Sequence, residues 1–176
     1  LQGPSANHLL GTDQLGRDLF SRVLFGGQVA LKVAFLTIGL ALIVGIVLGL
    51  IAGYGPAWLD NSIMLLFDTI RSVPTIMLAL AAVAVVGPSI TTVIFVIAVS
   101  SIPNYGRIVR TQTLTLKSKD FVKAEKLMGA SLLRILSIHL LPNILGPLLI
   151  LASMDIPTVI ALEAGLSFLG MGVKPP

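Results

Sequence analysis

The sequence predicts an all-α, polytopic bundle of transmembrane helices. It is 55% hydrophobic and only 11% charged, whereas about a quarter of the residues in an ordinary soluble domain are charged. The charges also lie in clusters between long apolar runs. Because so few charges cannot solvate the surface of a small globule, we expect the apolar residues to face a lipid bilayer.

The first span is predicted at about 33–54, where an uncharged run has the length of about 20 residues needed to cross the hydrocarbon. Residues 1–28 mix charged residues with leucines at helical spacing, which predicts an extracytoplasmic amphipathic lead-in. The transmembrane domain is accordingly placed at 29–176.

Small residues recur every four positions along the first span. Such a stripe lets another helix backbone approach closely. The predicted helix-packing residues are Ala41, Gly45, Gly49 and Gly53.

The second span is predicted at about 60–86. Asp68 and Arg71 are three residues apart, so they are predicted to pair on one helix face. Pro74 is predicted to kink the helix just beyond them.

The third span is predicted at about 89–110 and the fourth at 143–163. Pro103 is predicted to bend the third span and to expose Ser100 and Asn104 to a cavity or a neighbouring helix. Asp155 lies within the fourth span, where a carboxylate is energetically costly. Asp155 therefore lines a substrate path or forms a hydrogen bond between helices, and we treat Asp155, Ser100 and Asn104 as candidate path residues.

The chain after the fourth span, from Gly165 to Val173, is apolar, short and rich in glycine. It suits a re-entrant or interfacial piece better than a further crossing.

A basic cluster between the third and fourth spans predicts the orientation of the bundle. It contains seven of the 12 basic residues: Arg107, Arg110, Lys117, Lys119, Lys123, Lys126 and Arg134. Basic loops are retained in the cytoplasm, so this loop is placed inside and the lead-in outside. No soluble domain is available to carry a nucleic-acid-binding face, and no nucleic-acid partner is expected.

The cytoplasmic loop, residues 117–142, is predicted to form two short helices. Gly129 offers the end of the first helix, and Ser131 offers an N-cap for the second. The faces predicted to be apolar comprise Phe121, Ala124 and Met128 in the first helix and Leu132, Leu136 and Leu140 in the second. Such a pair forms a compact knob that fits a groove on a partner.

The segment FVKAEKLMGASLLRILSIHLLPN resembles the EAA motif of bacterial ABC importer permeases. That motif has Glu-Ala-Ala, three residues, Gly, nine residues, Ile, one residue and Leu-Pro. Lys123, Glu125 and His139 depart from its Glu, its second Ala and its Ile. The resemblance assigns coupling to ATPase subunits to Lys123, Ala124, Glu125, Gly129, Ala130, His139, Leu141 and Pro142.

Three further segments are similar to the dipeptide, oligopeptide and nickel branch of these permeases: GTDQLGRDLFSRVLFGG, SVPTIMLAL and LEAGLSFLGMGVKPP. The resemblance implies a MetI-like ABC importer permease fold, present here as a fragment with four of about six spans. It also implies a multi-pass protein of the bacterial or archaeal cytoplasmic membrane. The implied substrates are peptides or nickel.

The implied partners are a second permease subunit, two cytoplasmic ABC ATPase subunits and an extracytoplasmic substrate-binding protein. Homodimeric and heterodimeric pairing of the permease both remain open.

Motifs for bond chemistry are missing from the sequence. It contains neither a GxxxxGK[ST] phosphate loop nor an HExxH metal site, so we expect no catalytic residue, no metal and no cofactor in this chain. Two alternatives remain: a non-transporting membrane scaffold that recruits a cytoplasmic partner through its basic loop, and, less favoured, an intramembrane enzyme.

Overall fold

The computed structural model describes residues 2–6 and 8–170. Within them the chain forms seven α-helices and one π-helical segment. The elements are α1 (Leu19–Tyr54), α2 (Ala57–Ser72), α3 (Thr75–Val86), α4 (Ile90–Lys117), α5 (Asp120–Leu127), α6 (Leu132–Arg134), the π-helical segment (Ile135–Leu140) and α7 (Leu141–Phe168).

Three helical stretches are long and apolar enough to cross a membrane: Leu19–Tyr54, Ile90–Lys117 and Leu132–Phe168. The pair α2 and α3 passes the same test together but is bent by 83° at its break. Within the described residues there are therefore three continuous candidate spans and one bent pair of helices.

Helix α1 differs from the sequence-based expectation of a separate lead-in ending at residue 28. It runs without interruption over 36 residues, so the lead-in and the first span share one helix. No proline lies in this stretch, and each glycine costs a helix only about 1 kcal/mol. At about 1.5 Å per residue the helix exceeds the hydrocarbon thickness, so one end projects beyond it.

The described residues before α1 form a short irregular segment that is held together by hydrogen bonds. Gln2 N donates to Thr12 Oγ1 at 2.8 Å, and Thr12 pairs with Asp18 in an isolated bridge. The Asp18 carboxylate caps α1 by accepting from Ser21 N at 2.8 Å and Ser21 Oγ at 2.6 Å. These Ser21 hydrogen bonds lower the pKa of Asp18, so the cap stabilises the fold above the ordinary carboxyl range and is lost as the pH falls through the lowered pKa.

The two internal prolines of the second and third spans behave differently from each other. Pro74 ends the helix instead of kinking it, because Val73 before it is extended, with φ −99° and ψ 125°, as steric clash with a following proline favours. Helix α4 continues through Pro103, which is fully buried. At Pro74, where a kink is expected, the helix is completely broken. At Pro103, where a bend is expected, α4 continues without interruption.

The loop of residues 117–142 joins the fourth span without a break. The sequence predicts a new helix near Pro142, but the π-helical segment leads directly into α7, which carries Pro142 in its first turn. Helix α7 then extends beyond the predicted end at 163, to Phe168. The predicted re-entrant piece therefore begins inside α7, and its part from residue 171 onwards lies outside the described residues.

Candidate functional site

The stripe of small residues on α1 faces α4. A Cβ added at Gly45 would lie 2.8 Å from Tyr105 Cβ, and one added at Gly49 would lie 2.5 Å from Gly106 O. A Cβ added at Gly53 would meet Thr113 Cβ at 2.6 Å. Helix α4 therefore lies so close to α1 that no Cβ fits on α1 at these three glycines.

Gly106 of α4 lies close to both α1 and the second span. The ring of Phe67, on α2, would lie 2.3 Å from a Cβ added there, and Phe67 is fully buried. Helix α4 is therefore held between α1 on one side and α2 on the other.

Charged side chains cross the contact between α2 and α4. Arg110 Nη2 donates to Asp60 Oδ2 at 2.6 Å, and Arg110 Nε donates to Asp60 Oδ1. Further along the same contact Arg107 pairs with Asp68, and Arg71 donates to Asn104. We call these three pairs the polar ladder.

The polar ladder corrects one sequence-based expectation. Asp68 and Arg71 do not pair with each other, because each points across to α4 and finds Arg107 or Asn104 there. The sequence shows their spacing of three within one helix but not the neighbouring helix that offers better placed partners.

Asp155 takes part in a hydrogen bond between helices. Tyr105 Oη donates to Asp155 Oδ2 at 2.6 Å, which links α4 to α7. Tyr105 is fully buried, so its hydroxyl needs such a partner. A tyrosine inside an apolar span is the sequence signal that could have identified this bond.

A cavity of about 250 Å³ lies beside this bond, at the bend between α2 and α3. Ser100, Asn104 and Asp155, the three candidate path residues, all line it. Arg71 lines it as well. The expected path residues thus share one cavity, and Asp155 belongs both to the cavity and to the contact between helices.

The loop of residues 117–142 contains a tight turn at Gly129. Gly129 N donates to Lys126 O at 3.1 Å and Ala130 N donates to Glu125 O at 3.0 Å, the two bonds of a Schellman motif. Gly129 has φ +82°, a conformation that glycine adopts without strain. Ser131 then caps the next helix by accepting from Arg134 N at 3.4 Å.

Buried side chains hold this loop against the spans. Val122, Ile135 and Leu140 are buried. These residues differ in part from the expected faces, since Phe121, Met128 and Leu132 are exposed. The π-helical segment shifts the register of the second helix, and periodicity of 3.6 residues does not anticipate that shift.

An apolar tip remains exposed around the turn. Leu127 is 89% exposed, Met128 74%, Leu132 52% and Leu133 76%. We call these four residues the loop tip. An exposed apolar group of this kind is typical of a surface that docks a partner.

The remaining loop residues named by the motif lie in α5, in the π-helical segment and at the start of α7. His139 Nε2 is 3.3 Å from Glu125 Oε1 without making a hydrogen bond, and its ring centroid lies 6.3 Å from that of Phe121. Lys123 Nζ pairs with Asp120 at 3.1 Å on the surface. Two departures from the motif, Glu125 and His139, are therefore neighbours in space. Ala124 lies in α5, and Leu141 and Pro142 begin α7.

A family model, individual relatives and a solved structure all match this chain. The model of the family described as "Binding-protein-dependent transport system inner membrane component" matches residues 45–176. The chain is 43% identical over its whole length to the dipeptide transport system permease protein DppC of Alkalihalophilus pseudofirmus. It is 40% identical over 100% of its length to the di/tripeptide transport system permease protein DppC of Pseudomonas aeruginosa.

A third relative is the glutathione transport system permease protein GsiD of Pectobacterium atrosepticum, 40% identical over 99% of this chain. The chain spans 58% of the length of each of these three relatives. An inward-facing structure of the MetNI methionine ABC transporter matches with a TM-score of 0.74 and 21% identity, over 88% of this chain and 77% of that chain. This likeness confirms the predicted fold.

Proposed function

Because the chain belongs to the family of binding-protein-dependent transport system inner membrane components, we propose that it forms part of the translocation path of an ABC importer for short peptides. The similar permeases carry names that refer to dipeptides, di/tripeptides and glutathione. All three are short peptides, which favours peptides over nickel as the substrate. The chain lies in the inner membrane as a multi-pass protein.

The geometry of the cytoplasmic loop is the observation that carries this proposal. The loop tip is exposed and apolar, whereas the side chains behind it are packed against the spans. A partner that binds the tip therefore pushes on a body that continues directly into α7. Movement of the partner is transmitted to α7 because that connection has no flexible linker.

The partners in this proposal are two cytoplasmic ATPase subunits, which hydrolyse ATP and move the loop. A second permease subunit completes the path, and an extracytoplasmic binding protein delivers the substrate. Rocking of the spans then exposes the path alternately to the two sides of the membrane. This chain itself makes and breaks no covalent bond.

Co-purification tests the coupling role. Leu133→Asp places a charge in the apolar tip and should lower recovery of the ATPase subunits about tenfold or more, since burying one leucine contributes about 1.5–3 kcal/mol. Gly129→Leu should act in the same direction by straining the turn. Ser137→Ala is the matched control, because it removes only a hydrogen bond to Leu133 O within the same helical stretch.

Full recovery of the ATPase subunits with Leu133→Asp would contradict the proposal. Uptake into vesicles that contain the complete transporter provides the second test. ATP-dependent uptake of a labelled dipeptide is expected. Uptake of nickel without uptake of the dipeptide would contradict the assignment of peptides as the substrate. A complex that binds its partners but transports neither solute would favour the non-transporting scaffold.

A further inference from the structure

The cavity at the bend between α2 and α3 carries one charge of each sign. Arg71 comes from the last turn of α2, and Asp155 comes from the middle of α7. Both side chains line the cavity together with the hydroxyl-bearing residues Ser100, Ser101 and Thr158. The remaining lining is largely apolar.

Each of the two charges is held in place by a neutral group. Arg71 Nη1 donates to the Asn104 amide oxygen, and Asp155 Oδ2 accepts from Tyr105 Oη at 2.6 Å. Among residues 2–6 and 8–170 neither charged group forms an ion pair, unlike Asp60 and Asp68 a few turns away. One carboxylate oxygen and most of the guanidinium donors are therefore left for another molecule.

Unpaired charges inside a membrane span are costly, and they mark substrate pathways. Two opposite charges in one cavity leave it without net charge but with a strong dipole. A ligand that neutralises both must itself carry an anionic and a cationic end. Monovalent ions and divalent metals satisfy only one of the two.

We propose that this cavity binds a free dipeptide as a zwitterion, with its ammonium group at Asp155 and its carboxylate at Arg71. Such contacts are charge-assisted hydrogen bonds, about twice as strong as neutral ones, and Ser100, Ser101 and Thr158 supply hydroxyls for the peptide bond. The volume of about 250 Å³ lies just below the roughly 300–1,000 Å³ of pockets for drug-sized ligands. It therefore accommodates a ligand of dipeptide size. This inference rests on the proposed peptide transport.

The test measures equilibrium binding to the complete membrane complex in nanodiscs, without the binding protein, so that the selectivity of that protein does not enter. The probes are dialanine, N-acetyl-dialanine, which lacks the ammonium, and dialanine amide, which lacks the carboxylate. Dialanine should bind at least about tenfold more tightly than either blocked analogue, as expected for loss of one hydrogen bond to a charged group.

Two variants test which residue binds which end of the dipeptide. Asp155→Asn keeps an oxygen for the Tyr105 hydroxyl but removes the charge, so it should weaken dialanine binding and leave N-acetyl-dialanine unchanged. Arg71→Gln should weaken the binding of dialanine and leave the binding of dialanine amide unchanged. Ser153→Ala is the control on α7. Among the described residues, Ser153 is exposed, donates to Leu149 O at 2.8 Å and is not one of those that line the cavity.

Equal binding of all three ligands would overturn the inference, as would absence of saturable binding or an equal loss of all ligands in Asp155→Asn. The last result would leave Asp155 with only a structural role. ATP-dependent dipeptide uptake is measured in parallel on the wild-type transporter. Uptake without the expected binding pattern would reject this site and retain the proposed function, whereas absence of uptake would reject the proposed function itself.

Discussion

Helix α4 is held on two faces by different physical means. Towards α1 the contact is made by glycines of α1, which lie so close to α4 that no Cβ fits on them. Towards α2 the contact combines the ring of Phe67 with the polar ladder. A single added atom is enough to disrupt the close packing. In a set of ion pairs, each substitution removes only the stabilisation contributed by one pair. The α1 face is therefore suited to a fixed contact, and the α2 face to one that can rearrange.

The largest effect is expected from Gly49→Val. Its Cβ would lie 2.5 Å from the backbone oxygen of Gly106, and that oxygen has no rotamer by which to move away. We expect a loss of more than about 3 kcal/mol in the free energy of unfolding, the upper end for overpacking. Thermal unfolding of the purified transporter measures it.

The matched control is Gly39→Val in the same helix, where an added Cβ meets nothing within 4 Å. It should change stability by less than about 0.5 kcal/mol. Equal destabilisation by both variants would show that valine harms α1 for another reason than its contact with α4.

Asp60→Asn tests the most enclosed pair of the polar ladder. The Asp60 side chain is only 17% exposed and accepts two hydrogen bonds from Arg110. Removing its charge should cost about 2 kcal/mol, as expected for hydrogen bonds to charged groups. The same unfolding measurement on Arg110→Gln and on the double variant should give a loss smaller than the sum. Strict additivity would mean that the two side chains do not stabilise each other.

Tyr105→Phe affects a residue that joins the α1 face of α4 to α7. Tyr105 Cβ lies against Gly45, and its hydroxyl donates to Asp155. Phenylalanine keeps the packing and removes the hydrogen bond, so the expected loss is about 1 kcal/mol, within the range measured for hydrogen bonds between membrane helices. A loss as large as that of Gly49→Val would indicate that the substitution disturbs the packing as well.

Asp68→Asn should have the smallest effect. The Asp68 side chain is 68% exposed, and exposed ion pairs contribute about 0–1 kcal/mol. The difference between this variant and the wild type should shrink further in high salt. An effect larger than that of Asp60→Asn would reverse the order that burial predicts within the polar ladder.

Composition and charge distribution alone predict the fold class of this protein. An uncharged run as long as a membrane span has few alternatives to a transmembrane helix. The family was likewise identifiable from local residues, since the motif of the loop of residues 117–142 depends on spacing along one short segment. The comparisons confirm both predictions.

The partners of individual side chains depend on the tertiary structure. Asp68 and Arg71 are close in sequence, yet each bonds to α4. Asp155 and Tyr105 are 50 positions apart and meet only when α4 and α7 pack. A helical pattern gives the face on which a residue lies, but it does not say which helix covers that face.

The prolines show the same division most clearly. The sequence alone places Pro74, Pro103, Pro147 and Pro157 inside apolar runs, and each removes one helical hydrogen bond. Only Pro74 ends its helix, whereas α4 and α7 continue through the others. Pro103 is fully buried, whereas Pro147 and Pro157 are exposed, so burial of the proline does not decide whether its helix continues. At Pro74 the preceding residue, Val73, is extended; there the chain turns, and the cavity lies beside this bend. Which proline breaks its helix is therefore decided only in the folded chain.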